Sequence, residues 1–137
     1  MNLLIDTNII LDVLCNRPGF VNDAAKIFKL CEIKKIHGYI SALSIPNIVY
    51  IMRKELDSQK IKEILEKLSL IFTIVDLKAE DIHKAANLDF GDYEDALQSI
   101  CAKRVKANYI VTRNIKDYCN SQIKAIKPVE LLEILGN

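Results

Sequence analysis

Four aspartates stand where a carboxylate could do chemistry. Asp6 follows the apolar run Leu3-Leu4-Ile5, Asp92 and Asp95 lie three apart behind Gly91, and Asp117 closes the segment Thr112-Arg113-Asn114-Ile115-Lys116-Asp117. A carboxylate at the end of a buried strand is partly desolvated, and two that are three apart on a helix share one face. Each also has a plain structural role. Asp6 can cap a helix with Thr7 and Asn8, Asp92 can cap another whose first turn holds Glu94 and Asp95, and Asp117 can close a polar turn. The combination is more informative than any one of them. Carboxylates roughly 4 Å apart repel by about 4 kcal/mol at an effective dielectric near ~20, so a cluster of them calls for a cation or a shared proton. All-oxygen ligands suit Mg²⁺ or Mn²⁺, which activate water and steady the charge that builds on a phosphodiester under in-line attack.

The elements that must bring these acids together follow from hydrophobic patterning. Leu3-Leu4-Ile5 reads as a buried strand of the parallel type. Ile9, Ile10, Val13 and Leu14 then recur at helical spacing until Asn16-Arg17-Pro18-Gly19. A second helix is expected from Ala24 to about Lys35, with His37 in the loop before a short strand at Tyr39-Ile40. Ser41 and Ser44 can cap a third helix carrying Pro46 in its first turn, and a fourth runs from Lys60 to Leu68. The β-branched and aromatic content of Leu70 to Val75 favours a third strand. A helix over Ala79 to Asn87 and a long one from Asp92 to about Lys106 precede a fourth strand, Tyr109 to Thr112. A fifth at Ile123 to Ile126 leads to a closing helix from Pro128. Strands alternating with helices imply a three-layer α/β/α domain with a mostly parallel, five-stranded sheet. Ligands bind such sheets beyond the carboxyl ends of the strands, where the winding reverses, and Asp6 and Asn114 to Asp117 fall on that rim.

Composition narrows the function classes. The chain has 137 residues, half of them hydrophobic, enough for one domain with its own core. No GxGxxG or GxxxxGK[ST] occurs, which removes the obvious dinucleotide and P-loop readings. Every apolar run is interrupted too early to span a bilayer, and the N-terminus has no basic n-region of a leader, so a cytoplasmic protein without a membrane partner is expected. Cys15, Cys31, Cys101 and Cys119 have no CxxC spacing and read as semi-buried free thiols; His37 and His83 form neither a zinc cluster nor a Ser-His-Asp set. The formal net charge is +1, but Lys103, Arg104, Lys106, Arg113, Lys116, Lys124 and Lys127 crowd the last third. They could supply phosphate contacts or simply a solvated face.

Three blocks carry a family resemblance: Leu4-Ile5-Asp6-Thr7-Asn8-Ile9-Ile10-Leu11, Asp92-Tyr93-Glu94-Asp95-Ala96-Leu97-Gln98, and Ile110-Val111-Thr112-Arg113-Asn114-Ile115-Lys116-Asp117-Tyr118. In order and spacing they resemble the signature blocks of PIN-domain proteins over nearly the whole chain, residues 1–137 being one PIN-like domain. The resemblance implies a Rossmann-like PIN fold and metal-dependent ribonuclease activity. It also implies kinship with VapC-type toxins, which commonly dimerise and are held inactive by a cognate antitoxin. Asp6, Asp95 and Asp117 then match the family's metal-holding acids and Asp92 their frequent companion. Thr7, Asn8, Thr112 and Asn114 look like groups that orient the acids or the attacking water.

One position departs from the pattern. Asn47 aligns with the glutamate that the family usually carries in the third helix; an amide offers a carbonyl oxygen to a metal but brings no charge and cannot act as a base. The expected function is therefore an Mg²⁺- or Mn²⁺-dependent endoribonuclease. Two rivals remain, a PIN-like RNA- or protein-binding module that lost turnover through Asn47, and a phosphoacceptor domain using the acidic pocket.

Overall fold

The computed structural model describes residues 1–136. Its five strands, β1 (Asn2–Ile5), β2 (His37–Ser41), β3 (Thr73–Val75), β4 (Tyr109–Val111) and β5 (Ala125–Ile126), form one sheet in the order β3-β2-β1-β4-β5. All four pairings are parallel, with Leu4 opposite Tyr39 on one side and opposite Ile110 on the other. Parallel strands need crossovers on the sheet faces. These are α1 (Thr7–Leu14) and α2 (Val21–Glu32), then α3 (Ser44–Met52) and α4 (Ser58–Ile71), then α5 (Ala79–Ala86) and α6 (Tyr93–Arg104); α7 (Pro128–Ile134) closes the chain.

Side chains alternate across a strand, so β1 feeds two cores. Leu3 and Ile5 pack with Ile9, Ile27, Ile48, Leu68 and Leu131 in the layer of α1 to α4 and α7. Leu4 faces the other way, with Cys101, Ala102 and Ile110, under α6. Burial on both faces explains why β1 is a pure apolar run: Leu3, Leu4 and Ile5 are all completely covered. The helices lie on both faces, as the strand–helix alternation requires, and the sheet is parallel throughout.

Several boundaries differ from the sequence expectation, each for a tertiary reason. Leu70 and Ile71 belong to the last turn of α4, and β3 is confined to Thr73–Val75. The apolar series Ile61, Leu68 and Phe72 keeps the helix on the core, and the Phe72 ring meets Phe28 edge-on at 4.9 Å. His37 is the first residue of β2 and not a loop residue, because its N–H donates to the Met1 carbonyl at 2.9 Å and its ring stacks on Tyr39. Gly38 lets β2 approach its neighbours: a Cβ there would stand 2.6 Å from the Phe72 ring and 2.7 Å from the Cys31 sulfur. Cys31 and Cys101 are buried, but Cys15 and Cys119 are exposed, since each falls where a helical turn ends. Among the described residues no helix is long and apolar enough to cross a membrane.

The strand order places the functional rim. From β1 the chain builds outward through β2 and β3 on one side, then returns to add β4 and β5 on the other. The winding therefore reverses between β1 and β4, and their carboxyl ends flank the crevice expected at such a point.

Candidate active site

Asp6 ends β1 and caps α1, and its backbone N–H donates to Val111 at the end of β4 (3.0 Å). That ladder bond puts Asp6 beside Thr112, whose hydroxyl donates to Asp6 Oδ2 at 2.8 Å in a buried contact. The Thr112 oxygen in turn accepts from the Asn114 backbone N–H at 3.0 Å. Asp6 thus belongs to a relay that also fixes the start of the segment leading to Asp117. Its own side chain makes no cap bond to α1, so simple capping does not account for its burial.

Asp92 does cap α6, its Oδ1 accepting from the N–H groups of Glu94 (2.8 Å) and Asp95 (3.3 Å). The structural role weighed for Asp92 from sequence is therefore present, and the cap aims the first turn of α6 at the crevice. Asp95 is half-buried and accepts from the Tyr118 hydroxyl at 3.2 Å. Tyr118 itself is buried, in the 3-10 turn Ile115–Tyr118 that also carries Asp117.

These pieces meet in one groove of about 390 Å³. Asp6, Asp92, Asp95 and Asp117 all line it, as do Thr7, Asn8, Asn47 and Asn114; Thr112 reaches it through Asp6. A second lobe of about 420 Å³ shares Asp92, Asp95 and Asp117 and is also lined by Phe90, Lys116 and Asn120. All the sequence-predicted site residues are thereby brought together. Leu11, Tyr50, Ile51, Glu94 and Gln98 also line the groove without having been singled out from the sequence, and two of them, Glu94 and Gln98, share one face of α6. The available signal was their spacing, i and i+4 on one helix face with Asp95 between them.

The electrostatics are those of an acidic hollow whose carboxylates are not ion-paired: the charge of Arg113 offsets part of the rise at Asp6, and Lys116 stands at the border of the second lobe. Among the described residues no ion pair reaches any acid of the groove. Burial raises the Asp6 carboxyl above its ordinary value, against the lowering effect of the Thr112 bond, and the charge of Asp117 adds to the rise. Burial followed by the charges of Asp92 and Asp6 pushes Asp95 up to about 6. Burial followed by the charges of Asp6, Asp95 and Asp117 pushes Tyr118 up, so its hydroxyl stays a donor to Asp95. The basic residues of the last third are divided. Lys116 borders the second lobe, whereas Arg104 is engaged by Asp76 and Asp81 and Arg113 by Asp12.

The donor set is all oxygen, carboxylates with amide and hydroxyl groups, and so fits a hard divalent cation. Among the described residues no three His, Cys, Asp or Glu side chains are gathered as tightly as the ligands of one ion. The carboxylates share the groove at a looser spacing, and closing them on a cation requires side-chain rotation.

The alignment of the chain with known families agrees with this architecture. The PIN domain model matches residues 2–116, and the chain belongs to the PIN domain family. No curated protein matches its sequence. Among solved structures, it is similar to a chain of the VapBC2 complex of Rickettsia felis, solved with a promoter DNA fragment (TM-score 0.70, 19% identity, 93% of this chain and 98% of that one). It is also similar to a chain of FitAcB from Neisseria gonorrhoeae (TM-score 0.68, 18% identity, 93% and 98% covered). A chain of DNA-bound VapBC from Salmonella typhimurium gives a TM-score of 0.68 at 14% identity, with 93% and 98% covered. At such identities the likeness is one of fold.

Proposed function

We propose that the protein is a metal-dependent endoribonuclease of the VapC kind, a single PIN-like domain over residues 1–137. In this reading it is a cytoplasmic homodimer, and it is restrained by a cognate antitoxin, a partner supported by the toxin–antitoxin complex from Klebsiella pneumoniae among its structural neighbours. The observation that carries the nuclease reading is the convergence of Asp6, Asp95 and Asp117 on one groove, where burial and then the negative charge of Asp117 raise the Asp6 carboxyl, and burial and then the charges of Asp92, Asp6 and Asp117 raise that of Asp95.

Asp6, Asp95 and Asp117 would hold Mg²⁺ or Mn²⁺, which when bound supplies Lewis acidity at the phosphodiester and lowers the pKa of water. The protein's own groups do the rest. Thr112 fixes the Asp6 carboxylate by donating to Oδ2. Tyr118 holds Asp95 by one oxygen in the same way. Asp92 anchors the first turn of α6, so the Asp95 backbone cannot drift. The uncompensated acids repel a phosphate backbone, so RNA can seat only when a cation has neutralised part of the groove. Lys116, which borders the second lobe, would supply a phosphate contact for the RNA backbone.

The test is cleavage of a labelled single-stranded RNA by purified protein with Mg²⁺ or Mn²⁺, against chelator and against Asp6→Asn. Cleavage that needs the metal and disappears in Asp6→Asn is expected. An Asp6→Asn protein as active as the wild type, with contaminating nuclease excluded, removes the proposal. The neutral Asn47 amide in the groove favours one rival, a module that binds RNA without cutting it; tight binding with no turnover in either metal would select that reading.

A further inference from the structure

Helix α3 lines the groove with Asn47, Tyr50 and Ile51 and brings it no carboxylate, yet the wall it forms with α6 carries a charge. Glu94, in the first turn of α6, extends into the groove, and Asn47 Nδ2 donates to Glu94 Oε2 at 3.5 Å from the opposite helix. One helical turn further along the same face lies Gln98, 3% exposed. Its Nε2 donates to Ser44 Oγ at 3.1 Å, and Ser44 Oγ also accepts from Thr7 at 2.7 Å. Gln98 Oε1, by contrast, is buried without a partner, although the residue lines the groove. A buried acceptor without a donor costs on the order of 1–3 kcal/mol, a cost that a ligand entering the groove can remove.

We propose that Glu94 is a cation-facing carboxylate of this site, steered by the Asn47 amide and backed by the free carbonyl oxygen of Gln98. The proposal rests on the nuclease reading and deepens it by naming the charged group of the α3 wall. A first-turn acid serving only the helix dipole has no need of an amide aimed at it from another helix, nor of an orphan oxygen one turn below. With Glu94 the groove holds five carboxylates, with Asp6 and Asp95 from the two central elements and Glu94 on the flank that would otherwise be neutral. The Asn47 amide is a donor to Glu94 and leaves its own carbonyl oxygen free, so Glu94 and Asn47 bring oxygen atoms to this wall for a hard cation, with the unpartnered Gln98 oxygen buried behind them.

The experiment is Mn²⁺ titration by calorimetry, with apo thermal stability measured in parallel, on wild type, Glu94→Gln, Asn47→Ala, Asp95→Asn and the surface control Glu66→Gln. Glu94→Gln is expected to weaken Mn²⁺ binding about tenfold and Asn47→Ala by a smaller factor, with Glu66→Gln unchanged. Apo melting should stay close to wild type in Glu94→Gln, Asn47→Ala and Glu66→Gln, since Glu94 and Asn47 lie at the groove surface and Glu66 is exposed. A loss below threefold in Glu94→Gln, while Asp95→Asn binds poorly, overturns this proposal and leaves the nuclease reading standing. A wild-type protein that takes up no Mn²⁺ overturns both.

Discussion

The molecule buries carboxylates in two ways. Asp12 and Asp81 are 1% and 2% exposed and are each met by arginine. Asp12 is held by Arg17 Nη1 at 3.3 Å and by Arg113 Nε at 2.9 Å, and Asp81 by Arg104 Nη2 at 2.6 Å. Asp6 and Asp95 are also withdrawn from water but form no ion pair: Thr112 and Tyr118 donate their hydroxyls to them, and Arg113 acts on Asp6 only through its field. A paired acid is a structural device: Asp12 ties α1 to the segment after β4, and Asp81 ties α5 to α6. Unpaired acids kept close together lose stability in the free protein. Such an arrangement is useful only where the missing positive charge arrives from outside.

The strongest way to break this comparison is through turnover. Asp95→Asn removes a groove charge while its Oδ1 can still accept from Tyr118, and cleavage should fall on the order of 10³-fold, as it does when a preorganised charge-stabilising group is lost. Asp81→Asn, on the far side of the fold, should leave cleavage per folded molecule within about twofold; single-turnover rates on the two variants check both expectations. Stability should respond in the opposite order. Asp12→Ala strips Arg113 and Arg17 of their buried partner and should cost about 3 kcal/mol in denaturant unfolding. A smaller loss of activity should accompany it, because Arg113 anchors the segment on which Asn114 and Asp117 are carried. If Asp12→Ala melted like the wild type, the distinction between paired and unpaired acids would have no energetic content.

The sequence announced the unpaired acids better than the paired ones. Asp6 and Thr112 are legible because each follows a strand written as an unbroken apolar run, and a parallel sheet fixes what lies beyond such ends. Asp92 and Asp95 are legible from helical spacing. Asp12 hides among Ile9, Ile10 and Val13, and its partner Arg113 is 101 residues away, so nothing local marks it. Glu94 reads locally as a first-turn acid, and only the packing of α3 across the groove gives it a second context. The same limit applies to Leu70 and Ile71, whose strand-like types yield to a helix that must keep Phe72 on Phe28. Arg104 and Arg113 look like free cations in sequence, yet tertiary pairing removes them from any phosphate-binding face.

The subtlest consequence concerns pH. Asp95 is raised from 3.8 to about 6, by burial first and then by Asp92 and Asp6, and Asp6 is raised as well. A carboxyl whose folded pKa lies above its unfolded value binds its proton more tightly in the native state, so its contribution is complete below the unfolded pKa and lost as pH rises through the folded one. For Asp95 that window runs from about pH 4 to above pH 6, and beyond it the ionised side chain is a liability of the metal-free protein. Asp95→Asn removes the liability. At pH 7.5 without metal the variant should be more stable than wild type by about 1 kcal/mol, the full shift being discounted because Asp95 is only half-buried; the gap should close near pH 4. Saturating Mn²⁺ stabilises whichever protein binds it, in proportion to the logarithm of its concentration over Kd, and should reverse the order so that wild type melts higher. Paired Asp12 predicts no such reversal: Asp12→Ala should stay the less stable protein with or without Mn²⁺. A wild type that Mn²⁺ fails to lift above Asp95→Asn would show that the groove's charge is not there to receive a cation.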